Sequence, residues 1–566
     1  MLRLFYFLQT VYFLFYYTLI DVIIYNNYDI FYSFKNFYSN RLGRVYYGDI
    51  YFRQIYGKIG KYLILNKNKN SNTYCRCLNF ASYDYFGINE IKLNSDDYLN
   101  LDIISTNNEL KNTISDFLAY KYIILSNTGY ATNAKYIKLI CDVPNYLILI
   151  DQYIHNSSIV GSKNLNKKIF KHNDLDHLET LLKTHPSNKI FVFIEGLYSM
   201  HGHSINIPDL IELKNKYKFK LVVDEAHSFG STGNNGKGVF NIYYDDVSKY
   251  IDVYVSTFSK TCNANGGFIA TNNLNIYNRL QTCQTEYIHA ISAKHITNII
   301  RYINSENGEK NLEHIRNMSK YLYLKLKQNG CEIFSEEYST VQCINIGSLH
   351  QGVNFSRYAL DNNLAIVVVG YPAAELLNLT LRLCISKYHT KEDIDYLMSV
   401  INYKPFKNYI NQELIDNDII QYQNMESIQD VIKYYGIGTS GPLAFYGSLK
   451  MIRDIEQQIA NKYGYDSCII ISGAENGLID IKKYCELNNL RLDDLTNKKP
   501  SSIIPKDNSD CGFINIEQYN KENCQGIIFL GNKLIISNTY LNLNSYIFSA
   551  ALPAYIYYAI KKIFID

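Results

Sequence analysis

The sequence predicts an α/β fold: a mostly parallel sheet flanked by helices, with a small α+β lobe after it and an N-terminal membrane helix before it. Three observations lead there. Short β-branched and apolar runs, Tyr146–Ile150, Lys189–Ile194, Lys220–Val223 and Val253–Ser256, have the composition of strands buried on both faces. Between them, segments such as Asp176–Thr184 and Ile207–Lys216 repeat apolar residues every three and four positions, as covering helices do. Further on, Leu364–Val369 and Leu379–Ile385 read as strands ahead of a helix that Thr390 opens, with Glu392 and Asp393 in its first turn.

A chain of 566 residues has room for roughly two to four folded units and a large core. Its 56 basic and 53 acidic residues leave a net charge of +3, which argues against nucleic acid as a partner. The 54 tyrosines and the absence of tryptophan reflect A/T-rich codon usage and carry no function. Twelve cysteines show no repeated C-x-x-C pair, and Cys75 and Cys77 are too close for a zinc clip, so free thiols and no metal are expected.

At the N-terminus, Leu4 to Ile20 holds only Gln9 and two threonines as non-aromatic polar residues before Asp21, the length of a short membrane helix. No small-x-small cleavage site follows, which favours a retained anchor over a signal peptide. The expected division is an anchor at 1–27, a connector at 28–74, a large domain at 75–330, a small lobe at 331–403, a linker at 404–424 and a further unit at 425–566.

Chemistry gathers at two strand ends. VVDEAHSFG sets Asp224 and His227 where a buried strand opens into the crevice that α/β sheets use for ligands. A carboxylate buried there calls for a cation, and the ring nitrogen of a bound cofactor is one; a turn cap at Asp224 beside a satisfied His227 is the plainer alternative. Thirty-six residues on, STFSKTCNANGG presents Lys260 among Thr257, Ser259 and the pair Gly266–Gly267, a setting in which desolvation lowers a lysine's basicity and frees its amine as a nucleophile. A lone Ser-x-Lys is usually a solvated surface lysine, and the spacing from DEAHS is what singles this one out. Upstream, SNTGYATN at Ser126–Asn133 opens a helix whose N–H groups at Gly129 and Tyr130 suit a phosphate; taken alone it is an ordinary glycine turn.

The chain also resembles itself. Ile114–Gly129, ending IILSNTG, matches Ile459–Gly473, ending IIISG; NANGGFIATNNL from Asn263 matches NCQGIIFLGNKL from Asn523, and YIHAIS from Tyr287 matches YIFSAA from Tyr546. Asn520 then stands opposite Lys260, so the second copy lacks the reactive amine and is not an independent active site.

EGLYSMHG (195–202), LKNKYKFKLVVDEAHSFGSTGNNGKGVF (213–240) and STFSKTCNANGGFI (256–269) resemble the α-oxoamine synthase family. FKHNDLDHLETLL (170–182) and AIVVVGYPAAELLNLTLRLCISKYHTKEDI (365–394) are most similar to its serine palmitoyltransferase branch, and the resemblance covers about residues 75–400. It implies a fold-type I transferase dependent on pyridoxal 5′-phosphate (PLP), joined covalently to Lys260, with Asp224 on the ring nitrogen. His155, in DQYIHNSS, would stack on the ring; Ser199 and His227 would lie near the ring oxygen; Gly129, Tyr130 and Thr257 complete the cofactor set. Arg382, in LRLCIS, would bind a substrate carboxylate, for which its fork is shaped. Read from the residues alone, a surface His155 and a salt-bridged Arg382 stay open.

The implied reaction is a decarboxylating condensation of L-serine with a long-chain acyl-CoA, palmitoyl-CoA, giving 3-ketodihydrosphingosine, carbon dioxide and CoA. The alternatives are a 5-aminolevulinate or 8-amino-7-oxononanoate type synthase, or a non-catalytic membrane scaffold. An Arg- and Ser-rich transit peptide would favour the aminolevulinate type, and the N-terminus here is continuously apolar. YGIGTSGPLAFYGSLKMIRDIE (435–456) and YIFSAALP (546–553) resemble a non-catalytic subunit of the same branch. That implies a dimeric or pseudo-dimeric assembly, with Ser549 or Gly436–Gly447 near the phosphate, in the endoplasmic reticulum membrane. Two features depart from the pattern: no glycine-rich loop lies between Ile88 and Asn108, and the second copy jumps from Gly477 to Cys511 where about a hundred residues are expected and stops before a small lobe. Exons missing from the gene model explain these gaps better than decay, since the residues around Lys260 are nearly complete.

Overall fold

The computed structural model describes residues 54–66, 74–87, 101–186, 189–283, 287–346, 349–370 and 379–402, then 431, 435, 448–472, 474–496, 498, 510–516, 526–532, 535–536 and 554–565. Strands β1 (Gln54–Ile59) and β2 (Tyr62–Asn66) form a hairpin, and β3 (Tyr74–Asn79) pairs antiparallel with β2. The stretch expected as a connector therefore holds sheet from Gln54 onward. A hairpin is marginal by itself, and this one is completed by partners far along the chain: Leu364–Ala365 beside β3 and Ser448–Leu449 beside β1.

Helix α1 (Ile103–Leu118), capped by Asp102, leads into β4 (Tyr122–Ser126), and α2 (Gly129–Ile140) follows with Thr128 as its N-cap. Next come β5 (Tyr146–Asp151), α3 (Asn156–Gly161), β6 (Lys167–Phe170), α4 (Leu175–Thr184), β7 (Lys189–Glu195), α5 (Ile207–Tyr217), β8 (Lys220–Asp224), β9 (Val253–Thr257) and β10 (Gly267–Thr271). They build a seven-stranded sheet in the order β4-β10-β9-β8-β7-β5-β6. The pairs from β6 to β9 are parallel, and β10 runs antiparallel between β9 and β4, so the expectation of a mostly parallel sheet holds.

Strand alternation explains the near-continuous apolar runs. Leu147, Leu149, Leu221 and Val223 enter one core, while Ile148, Ile150, Phe193, Val222 and Val255 enter another with Tyr136, Ile137 and Ile140 of α2. Each such side chain contributes about 1.5–3 kcal/mol by leaving water. The same period of two puts the last residues of three strands, Glu195, Asp224 and Thr257, on the α2 face.

Helices α6 (Leu274–Gln281), α7 (Ala290–Ile303) and α8 (Glu306–Gln328) lead to the small lobe. It contains β11 (Val341–Asn345), α9 (Leu349–Asp361), β12 (Leu364–Ala365), β13 (Val367–Val369), β14 (Thr380–Cys384) and α10 (Lys391–Ile401). The run expected as one strand at Leu364–Val369 is two: β12 joins β3, while β13 joins β14. Thr390 caps α10 in a reciprocal box with Asp393.

The C-terminal part carries β15 (Ser448–Leu449), α11 (Lys450–Lys462), β16 (Ser467–Ser472), α12 (Ala474–Leu487), β17 (Arg491–Asp494), β18 (Asp510–Asn515), β19 (Gly526–Gly531) and α13 (Ala554–Phe564). Its sheet order, β16-β19-β18-β17, repeats β4-β10-β9-β8, with the same succession of antiparallel, antiparallel and parallel pairs. Register sharpens the comparison. Gly267 pairs with Thr257 and Asp224 with Val255; their counterparts pair Ile527 with Asn515 and Asp494 with Phe513. Asp494 thus occupies the place of Asp224, and each accepts the N–H two residues on, from Thr496 at 2.9 Å and Ala226 at 3.0 Å. No strands stand between α12 and β17 where the first copy has β5, β6 and β7, so the gap that the sequence places after Gly477 falls ahead of β17.

Among the described residues no helix is long and apolar enough to cross a membrane. The expected anchor at 1–27 lies outside them, as do the linker at 404–424, Ser549 and Gly436–Gly447.

Candidate active site

One pocket at the C-terminal ends of β7, β8 and β9 is lined by Gly129, Tyr130, His155, Ser199, Asp224, His227, Thr257 and Lys260. Eight of the nine expected site residues therefore meet in one place. They come from strand ends and helix starts more than a hundred positions apart, which is the crevice geometry of an open α/β sheet.

Asp224 is buried, and its oxygens accept from Asn133 Nδ2 at 2.7 Å and from the Ala226 N–H at 3.0 Å. Burial raises its pKa, while Lys260, Asn133 and Ala226 oppose the rise by favouring the carboxylate. Beside it on the neighbouring strand, in register, stands Glu195, also buried and with Oε1 lacking a partner. Burial first, then the charge of Asp224, holds Glu195 well above the ordinary carboxylate range. Two carboxylates this close do not both ionise: Asp224, with two donors, carries the charge, and Glu195 carries a proton.

Lys260 is depressed to about 8 by burial, against the upward pull of Asp224. At neutral pH about a tenth is already the free amine. Condensation of the cofactor-free protein with an aldehyde should consequently rise with pH to a half-maximum near 8, well below the 10.5 of an ordinary lysine, as followed by stopped-flow absorbance. Linkage gives the matching sign. Because the folded value lies below the unfolded one, burial of this cation costs stability below pH 8, and the cost disappears as pH rises toward 10.5.

His155 sits at the start of α3 with Nδ1 2.7 Å from Ser157 Oγ, and burial holds it near 3, so its ring is neutral. His227, also held neutral by burial, has Nδ1 3.2 Å from the Tyr85 hydroxyl. Burial keeps that phenol protonated, so either group can donate, and the bond orients the neutral imidazole in the pocket. Thr257 Oγ1 donates to the Gly266 carbonyl at 3.0 Å and lies 2.9 Å from Ser259 Oγ, which ties down the loop that carries Lys260.

Gly129 opens α2 directly against this loop: a Cβ there would lie 2.4 Å from Thr257 Oγ1. Gly129→Ala should therefore destabilise the protein by about 1–3 kcal/mol and weaken cofactor affinity about tenfold, measured by thermal melting and by cofactor titration.

Arg382, on β14, is placed differently. It is 1 % exposed, outside the pocket lining, with its guanidinium 4.5 Å from the Tyr83 ring centroid; Lys260 Nζ lies 5.7 Å from the same ring. Both cations thus lie against the same ring. No carboxylate pairs with Arg382 among the described residues, and its Nε has no partner. The sequence reading missed Tyr83, Tyr85, Asn133 and Glu195. Asn133 and Glu195 had a signal, one helical turn beyond Gly129 and one strand across from Asp224; the two tyrosines, in a loop after β3, had none.

Comparison with known proteins agrees with this geometry. The profile of the family described as aminotransferase class I and II matches residues 89–401, more than half of the chain. The chain belongs to the aminotransferase class I and II family. Within it, this member is 34% identical over 312 residues to serine palmitoyltransferase 2 of Schizosaccharomyces pombe, covering 51% of each chain. It is 31% identical over 374 residues to long chain base biosynthesis protein 2b of Arabidopsis thaliana, covering 59% of this chain and 75% of that one. With serine palmitoyltransferase 2 of Kluyveromyces lactis it is 32% identical over 415 residues, covering 65% and 73%. The chain thus spans about half the length of the first relative and about three quarters of the other two. Among solved structures, serine palmitoyltransferases of S. paucimobilis and Sphingomonas wittichii share the fold at a TM-score of 0.54, each with 20% identity over 61% of this chain, and with 90% and 89% of theirs.

The pocket of this aminotransferase-family member fits a pyridine aldehyde phosphate on its own features. A buried anion at Asp224 awaits a cation, a depressed lysine stands beside it, and a helix starting at a glycine that tolerates no side chain opens on the same space. PLP carries the ring nitrogen, aldehyde and phosphate that these three features would engage.

Proposed function

We propose that this protein is a PLP-dependent serine palmitoyltransferase, condensing L-serine with palmitoyl-CoA to 3-ketodihydrosphingosine, carbon dioxide and CoA, the first step of sphingolipid synthesis. The observation that carries the reading is the meeting of Lys260, Asp224, His155 and His227 in one pocket of a chain whose curated relatives bear that name.

Bound there, PLP would supply an electron sink for negative charge on the amino-acid α-carbon. Asp224 would hold the ring nitrogen protonated, its own ionisation secured by Asn133 and Ala226. Lys260, already partly deprotonated, would be the amine that holds the cofactor and the base for a proton at the α-carbon. The neutral ring of His155 suits stacking on the cofactor face. His227, a neutral imidazole in the same lining as Ser199, would suit a hydrogen bond to the ring oxygen. Arg382, a buried cation with no carboxylate partner among the described residues, would suit the serine carboxylate.

We further propose a membrane location, with the apolar stretch Leu4–Ile20 as anchor in the endoplasmic reticulum, where the long acyl chain and the product both partition. The C-terminal repeat serves as a built-in partner. Its β15 extends the N-terminal sheet through β1, and Asp480 of α12 acts electrostatically on Tyr130 in the pocket lining.

The test is product formation by detergent-purified protein from labelled L-serine with palmitoyl-CoA, set against glycine with succinyl-CoA and L-alanine with pimeloyl-CoA. A 3-keto long-chain base from the first pair alone supports the reading. Product from either other pair moves the chain to another synthase, and no product with any pair in folded, cofactor-loaded protein favours a scaffold.

A further inference from the structure

The opposite pole of the sheet holds a second cavity, of about 340 Å³, between the starts of β7 and β8, the end of α5 and the start of α6. Since β7 has seven residues, it lies about 20 Å along the strand from Glu195 and the pocket described above. Lys189, Lys218, Lys220 and Arg279 form its rim, with Phe191 and Phe219 among the apolar side chains beneath, and no carboxylate lines it.

The acids nearby are already engaged. Asp252 takes Lys214 at 2.9 Å and Lys220 at 2.7 Å; Glu179 takes Lys183, Lys216 and the Tyr217 hydroxyl. Lys189 and Lys218 have no ion-pair partner among the described residues. Arg279 donates Nε and Nη2 to the Leu139 and Ile140 carbonyls, both at 2.9 Å, which fixes its guanidinium without neutralising it. Lys218, at the C-cap of α5, holds φ at +56°, a left-handed conformation that favours glycine. With Lys220 held by Asp252, Lys189, Lys218 and Arg279 leave the recess lining with positive charge that no carboxylate among the described residues offsets, and the recess is large enough for a small ligand.

We propose that this cavity binds a phosphate group carried on an apolar stem, the cations taking the phosphate and the aromatic floor taking the stem. A phospholipid headgroup and a free phosphate compound share that chemistry. Titration calorimetry on the full-length, cofactor-loaded protein in detergent would use dihexanoyl phosphatidic acid, dihexanoyl phosphatidylcholine and inorganic pyrophosphate as probes.

The expected result is saturable binding of phosphatidic acid, absent with phosphatidylcholine, weakened about tenfold in Lys189→Gln/Lys218→Gln and unchanged in Lys260→Ala. Both replaced lysines are exposed and have no ion-pair partner among the described residues, so the double variant should melt and turn over like the parent. Pyrophosphate binding with equal sensitivity to the double variant assigns a free phosphate ligand; phosphatidic acid binding alone assigns a headgroup. Either outcome supports the site. Absence of saturable binding by any probe, or equal affinity of the parent and the double variant, overturns it. Loss of binding in Lys260→Ala overturns it too, because it would place the ligand in the catalytic pocket.

Discussion

Lys260→Ala is expected to abolish turnover, by about 10³-fold or more, and to remove the visible absorbance band that PLP and L-serine should otherwise give and shift. The size follows from position. Lys260 is the lysine in the pocket lining, burial has lowered it to about 8, and the nearest other rings and carboxylates carry no amine to replace it. The fold should persist, since the residue follows β9 and its loop is held by Thr257 bonds that do not involve its side chain. Unchanged circular dichroism with the band lost would be the signature. A band that survives in the variant would mean that another amine holds the cofactor.

Asp224→Asn should cost about 10²–10³ in kcat, while Glu195→Gln should stay within about threefold of the parent. Both swaps keep size and shape, so the contrast isolates charge. Asp224 has Asn133 and Ala226 as donors and faces Lys260; Glu195 has an unpartnered oxygen and a strongly raised pKa, so it is neutral before the swap and neutral after it. Steady-state kinetics on the two variants at pH 7 would settle the assignment. A large loss in Glu195→Gln with a mild one in Asp224→Asn would exchange their roles.

Much of this was legible in the residues. Buried strands declare themselves by runs such as KLVVD and VYVST, because a strand covered on both faces has no polar alternation to confuse with a loop. Lys260, Asp224 and His227 were legible because strand ends fix where side chains emerge. The β1–β2 hairpin was not, since what stabilises it is pairing with Leu364–Ala365 and Ser448–Leu449, which lie hundreds of positions away. Tyr83 and Tyr85 were hidden for the same reason: a loop residue gains its role from what packs over it.

The second copy divides along the same line. Sequence comparison found the repeat and its missing lysine. Only the strand register showed that Asp494 keeps the place of Asp224 and that the lost segment is the equivalent of β5, β6 and β7.

By itself, then, the sequence singled out an amine, a carboxylate and an imidazole at or just past the ends of buried strands, Lys260, Asp224 and His227, while His155 entered through the family resemblance. Local periodicity and spacing suffice for that, because both are properties of neighbouring residues. The tertiary structure alone decided which of two adjacent carboxylates is charged, that the Tyr85 hydroxyl meets His227, and that Arg382 lies against the Tyr83 ring. Those outcomes depend on burial and on partners brought together across the sheet, and desolvation is set by the surroundings of a group, not by its place in the chain.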